Sequence, residues 1–135
     1  MDYIFLNHTA DIYISVFGET KEKLFANAVL AMYDIMIKGE KRIEDIKKLK
    51  IDCIDEEDAL IDMLNEFLYL FYTYRFVCVD CKVKLNKEKL EIEASGYYFD
   101  KDKDRLKMEI KAATYEYLRI EKKDDRWRTN IVFDV

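Results

Sequence analysis

Few side chains in this 135-residue sequence can do acid–base or covalent chemistry, and the sharpest concentration of them is Asn7-His8-Thr9-Ala10-Asp11. His8 is the only histidine, so a serine or cysteine triad would have one imidazole to draw on. Neither a Gly-x-Ser-x-Gly turn nor a phosphate-cradling glycine loop accompanies it. What remains is carboxylate chemistry. The sequence closes with Phe133-Asp134-Val135, which sets a side-chain carboxylate beside a terminal one. With Asp11 brought next to them, three negative groups would converge. Such a cluster is unfavourable unless a cation holds it, and all-oxygen ligation suits a hard ion such as calcium or magnesium. The linear pattern alone does not bring the two ends together.

Three other groupings have the residue types for a site. Cys78-Val79-Asp80-Cys81 has the spacing of zinc and redox motifs, but one distant cysteine, Cys53, and one distant histidine are all that could complete four ligands. On a strand, positions three apart also point to opposite faces, so ordinary reduced cysteines are expected. Asp55-Glu56-Glu57-Asp58 is expected to be the start of a helix, where acidic side chains complement the positive end of the helix dipole. Asp100-Lys101-Asp102-Lys103-Asp104 copies the first three ligand positions of a calcium loop. Arg105 then stands where the turn needs glycine and Lys111 where a bidentate glutamate is required. An exposed charged loop is expected there.

The polar pentapeptide lies between Tyr3-Ile4-Phe5-Leu6 and Ile12-Tyr13-Ile14-Ser15-Val16-Phe17, two runs rich in branched and aromatic residues that read as strands. Asp11 is thus held at a strand end, where geometry can be rigid. Thr20 is a reasonable N-cap, and Leu24, Phe25, Ala28, Met32, Ile35 and Met36 recur at helical spacing up to Lys38-Gly39, with Gly39 as the expected stop. Leu49, Ile51 and Cys53 alternate as a strand, while residues 41 to 48 are ambiguous. A second helix is expected over about 57–74, carrying Leu60, Ile61, Leu64, Phe67, Leu68 and Phe71, with Asn65 and Glu66 interrupting the apolar residues on the other side. The period then changes to two. Val77 to Leu85 and Leu90 to Gly96 form a hairpin, Leu106 to Ala112 a further strand, Leu118 and Ile120 another, and Trp127 to Phe133 the last, after a turn at Asp124-Asp125. The fold class is α+β: two helices packed on a mostly antiparallel sheet, in the rough order β-β-α-β-α-β-β-β-β-β.

Residues 1–135 are expected to form one domain, since a chain of this length can bury about two thirds of its unfolded surface around a single core. Hydrophobic residues make up 50% and charged residues 38%, against disorder. No signal-peptide pattern or membrane-length apolar run occurs, so a cytoplasmic protein is expected. Net charge is −5, the wrong sign for tight autonomous binding of a phosphate backbone, although a local basic patch is compatible with it.

His8 to Ile12, Phe25 to Met32, Leu64-Asn65-Glu66-Phe67-Leu68, Ile110-Lys111-Ala112-Ala113-Thr114-Tyr115 and the terminal Phe133-Asp134-Val135 together resemble the archease family, in order along nearly the whole chain. The resemblance implies an accessory factor and not an enzyme. Its main partner would be the RtcB-type RNA-splicing ligase of tRNA splicing and RNA repair, whose guanylylation and turnover it would promote, with a tRNA cytosine methyltransferase as a second partner. It also implies a divalent-metal site, calcium or magnesium, with Asp11, Asp134 and Val135 as ligands. Lys111, His8 and Thr9 match family positions and become candidate contacts to the ligase or its nucleotide. Asn7 stands where the family usually has Asp, and Glu116 where it often has His. A metal-dependent phosphoester hydrolase using the same ion to activate water is the alternative reading of the acidic site.

Overall fold

The register between the first and last long strands organises the molecule. The computed structural model describes residues 2–6 and 11–135, apart from the side chains of Phe5 and Leu6. In chain order the elements are β1 (Tyr3–Leu6), β2 (Ile12–Gly18), α1 (Lys21–Met36), β3 (Ile37–Lys38), β4 (Asp45–Asp52), α2 (Glu56–Tyr74), β5 (Phe76–Asn86), β6 (Lys89–Tyr98), β7 (Arg105–Leu106), β8 (Ala112–Thr114), β9 (Glu121–Lys123) and β10 (Arg126–Asp134). One sheet runs β1-β2-β10-β8 with β9 also on β10; a second is β4-β6-β5, and β3 and β7 form a short ribbon. All these pairings are antiparallel. The α+β class is as expected from the sequence.

Both helices follow from their apolar stripes. Thr20 caps α1, its hydroxyl accepting from the Lys23 N–H at 3.0 Å. Leu24, Phe25, Ala28, Met32 and Met36 are buried. Asp55 caps α2 by accepting from the Asp58 N–H at 2.9 Å, and Arg75 ends it in the left-handed conformation at φ 66°. The acidic quartet is therefore a helix start, as expected. The two helices are tied across the core by the Tyr33 hydroxyl, which donates to the Phe67 carbonyl at 2.8 Å. α1 packs on β2 and β5, and α2 on β4, β5 and β8, so the helices lie against both larger sheets.

Several expected boundaries move, each for a physical reason. α1 stops at Met36, and Gly39 is not a left-handed cap. Glycine stands there because a Cβ would collide with the Asp104 carboxylate. Asp104 is itself the correction to the expected exposed loop. It is buried at 6% exposure and takes a two-pronged pair from Arg42, at 3.1 and 2.9 Å, plus the Asp100 N–H at 2.8 Å. The Arg42 guanidinium in turn covers the Tyr97 ring at 3.9 Å. β4 begins at Asp45 and not near Leu49, because Lys47 spreads its stem and ammonium over Tyr74, Phe76 and Tyr98 on the partly buried side.

The expected strand from Leu106 to Ala112 divides in two. Alternation marks extended backbone but not its partner: Arg105–Leu106 pairs with β3, Lys107 donates to the Met36 carbonyl at 2.6 Å, and Ala112 has already joined the other sheet. Leu118 and Ile120 lie in a loop, the Leu118 N–H turning back to the Tyr115 carbonyl and the Ile120 N–H bonding Glu57, and the strand follows at β9. The Asp124-Asp125 turn forms with both residues at positive φ, the geometry that suits a tight antiparallel hairpin.

The CxxC expectation also changes. The register slips between Cys78 and Asp80, and the extra residue at Val79 turns Cys78 and Cys81 to the same buried side. Gly96 permits the bulge, since a Cβ there would strike the Val77 carbonyl. The two thiols are neighbours, and the hydrogen bond with Cys81, then burial, pushes Cys78 far above the usual thiol range. All three cysteines are free and buried, as inert core residues are.

Candidate functional site at the β2–β10 ladder end

Alternation on β2 and β10 fixes which residues meet. Ile14 and Val16 on β2 and Thr129, Ile131 and Phe133 on β10 are fully or almost fully buried, and one register satisfies both faces: Trp127 with Gly18 through to Phe133 with Ile12. Asp11 precedes the first residue of β2 and Asp134 closes β10, so the Phe133–Ile12 pair brings both aspartates to the same end of the ladder. Because Phe133 points into the core, alternation turns Asp134 to the other face. Asp134 is exposed, Asp11 is half-buried, and Val135, at 37% exposure, follows directly.

A third strand closes the same corner. Asp134 pairs with Ala112, and the Lys111 N–H donates to the Asp134 carbonyl at 2.7 Å. Lys111 thus sits beside Asp134, its side chain exposed. Its position is set from α2. The Asn65 side chain exchanges two hydrogen bonds with the Ala113 backbone, and the Tyr72 hydroxyl donates to the Ile110 carbonyl at 2.7 Å. Burial is the first cause raising the Tyr72 phenol, so it stays protonated to donate. Thr114 adds a bond from its hydroxyl to the Val132 carbonyl at 2.9 Å. The next row carries Tyr13 opposite Val132. The Tyr13 ring meets Tyr117 at 5.6 Å and 44°, with Tyr117 held in the left-handed region at φ 59°.

Asp11, Asp134, Val135 and Lys111 are thus gathered at one corner, while His8, Thr9 and Asn7 lie outside the described residues. Glu116 is exposed in the turn after β8. Asn65, Tyr72 and Tyr117 are the residues that sequence reasoning missed. Asn65 left one signal, a polar interruption of an apolar helix, and Tyr72 and Tyr117 left none. Among the described residues no three His, Cys, Asp or Glu side chains form a ligand group. The corner offers two side-chain carboxylates with main-chain oxygens adjacent. That donor set is all oxygen and open to water on one side, which fits a hard divalent ion and not zinc.

The fold and this corner define a class: a small α+β protein whose first and last long strands pair so that an aspartate from each lies at the same end of the ladder. The sequence matches the archease protein family (MTH1598/TM1083) over residues 3–135. It is 34% identical over 139 residues to the archease of Methanosarcina barkeri, covering 98% of this chain and 95% of that one. The solution structure of protein 1598 from Methanobacterium thermoautotrophicum superposes with a TM-score of 0.84 at 25% identity, covering 99% of both chains. A crystal structure from Thermotoga maritima, described as an archease and possible chaperone, gives 0.71 at 24% identity over 96% of this chain and 94% of that one. The chain belongs to the archease family. No helix among its described residues is long and apolar enough to cross a membrane.

Proposed function

We propose that the protein is an accessory factor of an RtcB-type RNA-splicing ligase in tRNA splicing and RNA repair, working through a divalent ion held by Asp11, Asp134 and a carboxyl oxygen of Val135. The observation that supports this reading is the antiparallel register that pairs Phe133 with Ile12 and so brings Asp134 and Asp11 to the same end of the β2–β10 ladder. Two carboxylates brought close together repel unless a cation lies between them. A bound calcium or magnesium ion would supply positive charge and open coordination positions to a phosphate-bearing partner site. The chain's own residues do the rest. Asp11 and Asp134 hold the charge, the Lys111 amide fixes the Asp134 carbonyl, and the exposed Lys111 side chain offers a cation to the ligase or its nucleotide. His8 and Thr9, one turn of sequence before Asp11, are further candidates for that contact. In this role the protein itself turns over no substrate.

The test is multiple-turnover ligation of a 3′-phosphate RNA by the cognate ligase with GTP and metal, with and without this protein. Stimulation is expected from the native chain and is lost in Asp11→Ala and Asp134→Ala variants that keep the native circular dichroism spectrum. Full stimulation by both variants would overturn the metal-site reading, and phosphoester turnover by the pure protein would favour the hydrolase alternative. The description of the Thermotoga protein as a possible chaperone supports a second reading, a chaperone-like modulator of a tRNA cytosine methyltransferase. On that reading both aspartates would be dispensable.

A further inference from the structure

A cleft of about 520 Å³ opens between α1, the β3–β7 ribbon, the bulged stretch of β5 and the start of β1. That volume lies in the ordinary range of small-molecule sites, about 300–1,000 Å³. It is distinct from the aspartate corner. Tyr3, on its wall, pairs with Val16, five residues along β2 from Asp11, or about 17 Å at the rise of an antiparallel strand.

Three features of its lining constrain what can occupy it. The lining carries Lys38, Lys41, Arg105 and Lys107, all exposed. None of these four side chains makes an ion pair or hydrogen bond with a described residue, although the chain as a whole carries a net charge of −5. The floor is apolar and belongs to two rigid elements, with Leu30 and Ala31 from α1 and Val77 and Val79 from β5. The lining also carries two carboxylates, Asp2 and Asp34. Asp34 Oδ2 accepts from the Tyr3 hydroxyl at 2.6 Å, while Asp34 Oδ1 has no hydrogen-bond partner among the described residues. An occupant that uses all of this lining combines an anionic group, an apolar surface and a hydrogen-bond donor. Inorganic phosphate has no apolar surface.

We propose that this cleft binds one nucleotide unit bearing an exocyclic amino group. Its phosphate lies against Lys38, Lys41, Arg105 and Lys107, its base rests on the apolar floor, and its amino group donates to Asp34. The bulge at Val79 and its enabling Gly96 then have a use beyond packing, since they shape the floor. The inference does not depend on the metal-site reading, because no residue is shared with that corner.

The full chain would be titrated at low salt with GMP, UMP, inorganic phosphate and a short single-stranded oligoribonucleotide, following backbone amide shifts. Saturable shifts at Asp34, Lys38, Val79 and Arg105 are expected with GMP, at least tenfold weaker with UMP and with phosphate. Saturation by GMP assigns the cleft to a free nucleotide; saturation of the same residues by the oligonucleotide alone assigns it to a nucleotide within RNA, and either supports the proposal. Lys38→Glu/Arg105→Glu should lower affinity at least tenfold, and Lys41→Glu/Lys107→Glu does the same if the first pair fails to fold. Asp34→Asn should narrow the GMP-to-UMP difference, Val79→Trp should exclude the base, and Asp11→Ala should change nothing. Phosphate binding as tightly as GMP, absence of shifts at the cleft with every probe, or charge reversal without effect would overturn it.

Discussion

Asn65 and Ala113 exchange two hydrogen bonds: the Ala113 N–H donates to Oδ1 at 2.8 Å, and Nδ2 donates to the Ala113 carbonyl at 3.4 Å. A side-chain amide thereby takes the place of a neighbouring strand at the free edge of β8. This joins α2 to the segment that presents Lys111 and to the strand that pairs with Asp134.

Asn65→Ala leaves the Ala113 donor and acceptor without these partners in a part-buried position, so a loss of about 1–3 kcal/mol is expected. Urea unfolding followed by circular dichroism measures it. Amide exchange should quicken first at Lys111 to Thr114, and a uniform quickening across the chain would contradict a local clamp.

The Arg42–Asp104 pair predicts an acid-sensitive joint. The hydrogen bonds from Arg42 hold the Asp104 carboxyl below the usual aspartate range. A depressed folded-state value means its stabilisation is complete above the unfolded aspartate value, about pH 3.9, and is lost as pH falls through the lower folded one. Asp104→Asn should cost about 2–3 kcal/mol near neutrality, the scale of hydrogen bonds to a charged group. Thermal unfolding from pH 7 to pH 2 should show the gap between native and variant constant down to about pH 5 and shrinking below about pH 4.

Appending two residues after Val135 converts its carboxylate to an amide without touching the β2–β10 ladder. On the proposed ion site, calcium or magnesium affinity by calorimetry should fall at least about tenfold, equivalent to about 1.4 kcal/mol, with an unchanged melting temperature. Unchanged affinity would remove Val135 from the ligand set and leave the two aspartates.

The thiols give a simpler check. Cys78 is pushed up by its hydrogen bond with Cys81 and by burial, and Cys53 by burial first, so little thiolate is available to react. A disulfide reagent at pH 8 should label the native protein only as fast as it unfolds. Prompt labelling of a thiol pair would instead mark the bulge as a redox site.

The sequence by itself determined the α+β class, both helices and the β5–β6 hairpin, because each rests on a period of apolar residues that the structure must bury. It also singled out Asp11, Asp134, Val135 and Lys111 as candidates through their matches to family motifs. Only the tertiary structure decided that Ile12 pairs with Phe133, which brings Asp11 and Asp134 to the same end of one ladder. That depends on the register of strands more than a hundred residues apart, which neither strand's own pattern can state. The same holds wherever the reading had to change. Asp104 is buried because Arg42 lies across the chain from it, Cys78 and Cys81 share a face because β6 tolerates an extra residue at Gly96, and residues 107–111 bridge two sheets although they alternate like one strand. Local periodicity records how much of a segment is hidden; which partner hides it is a property of the assembled fold.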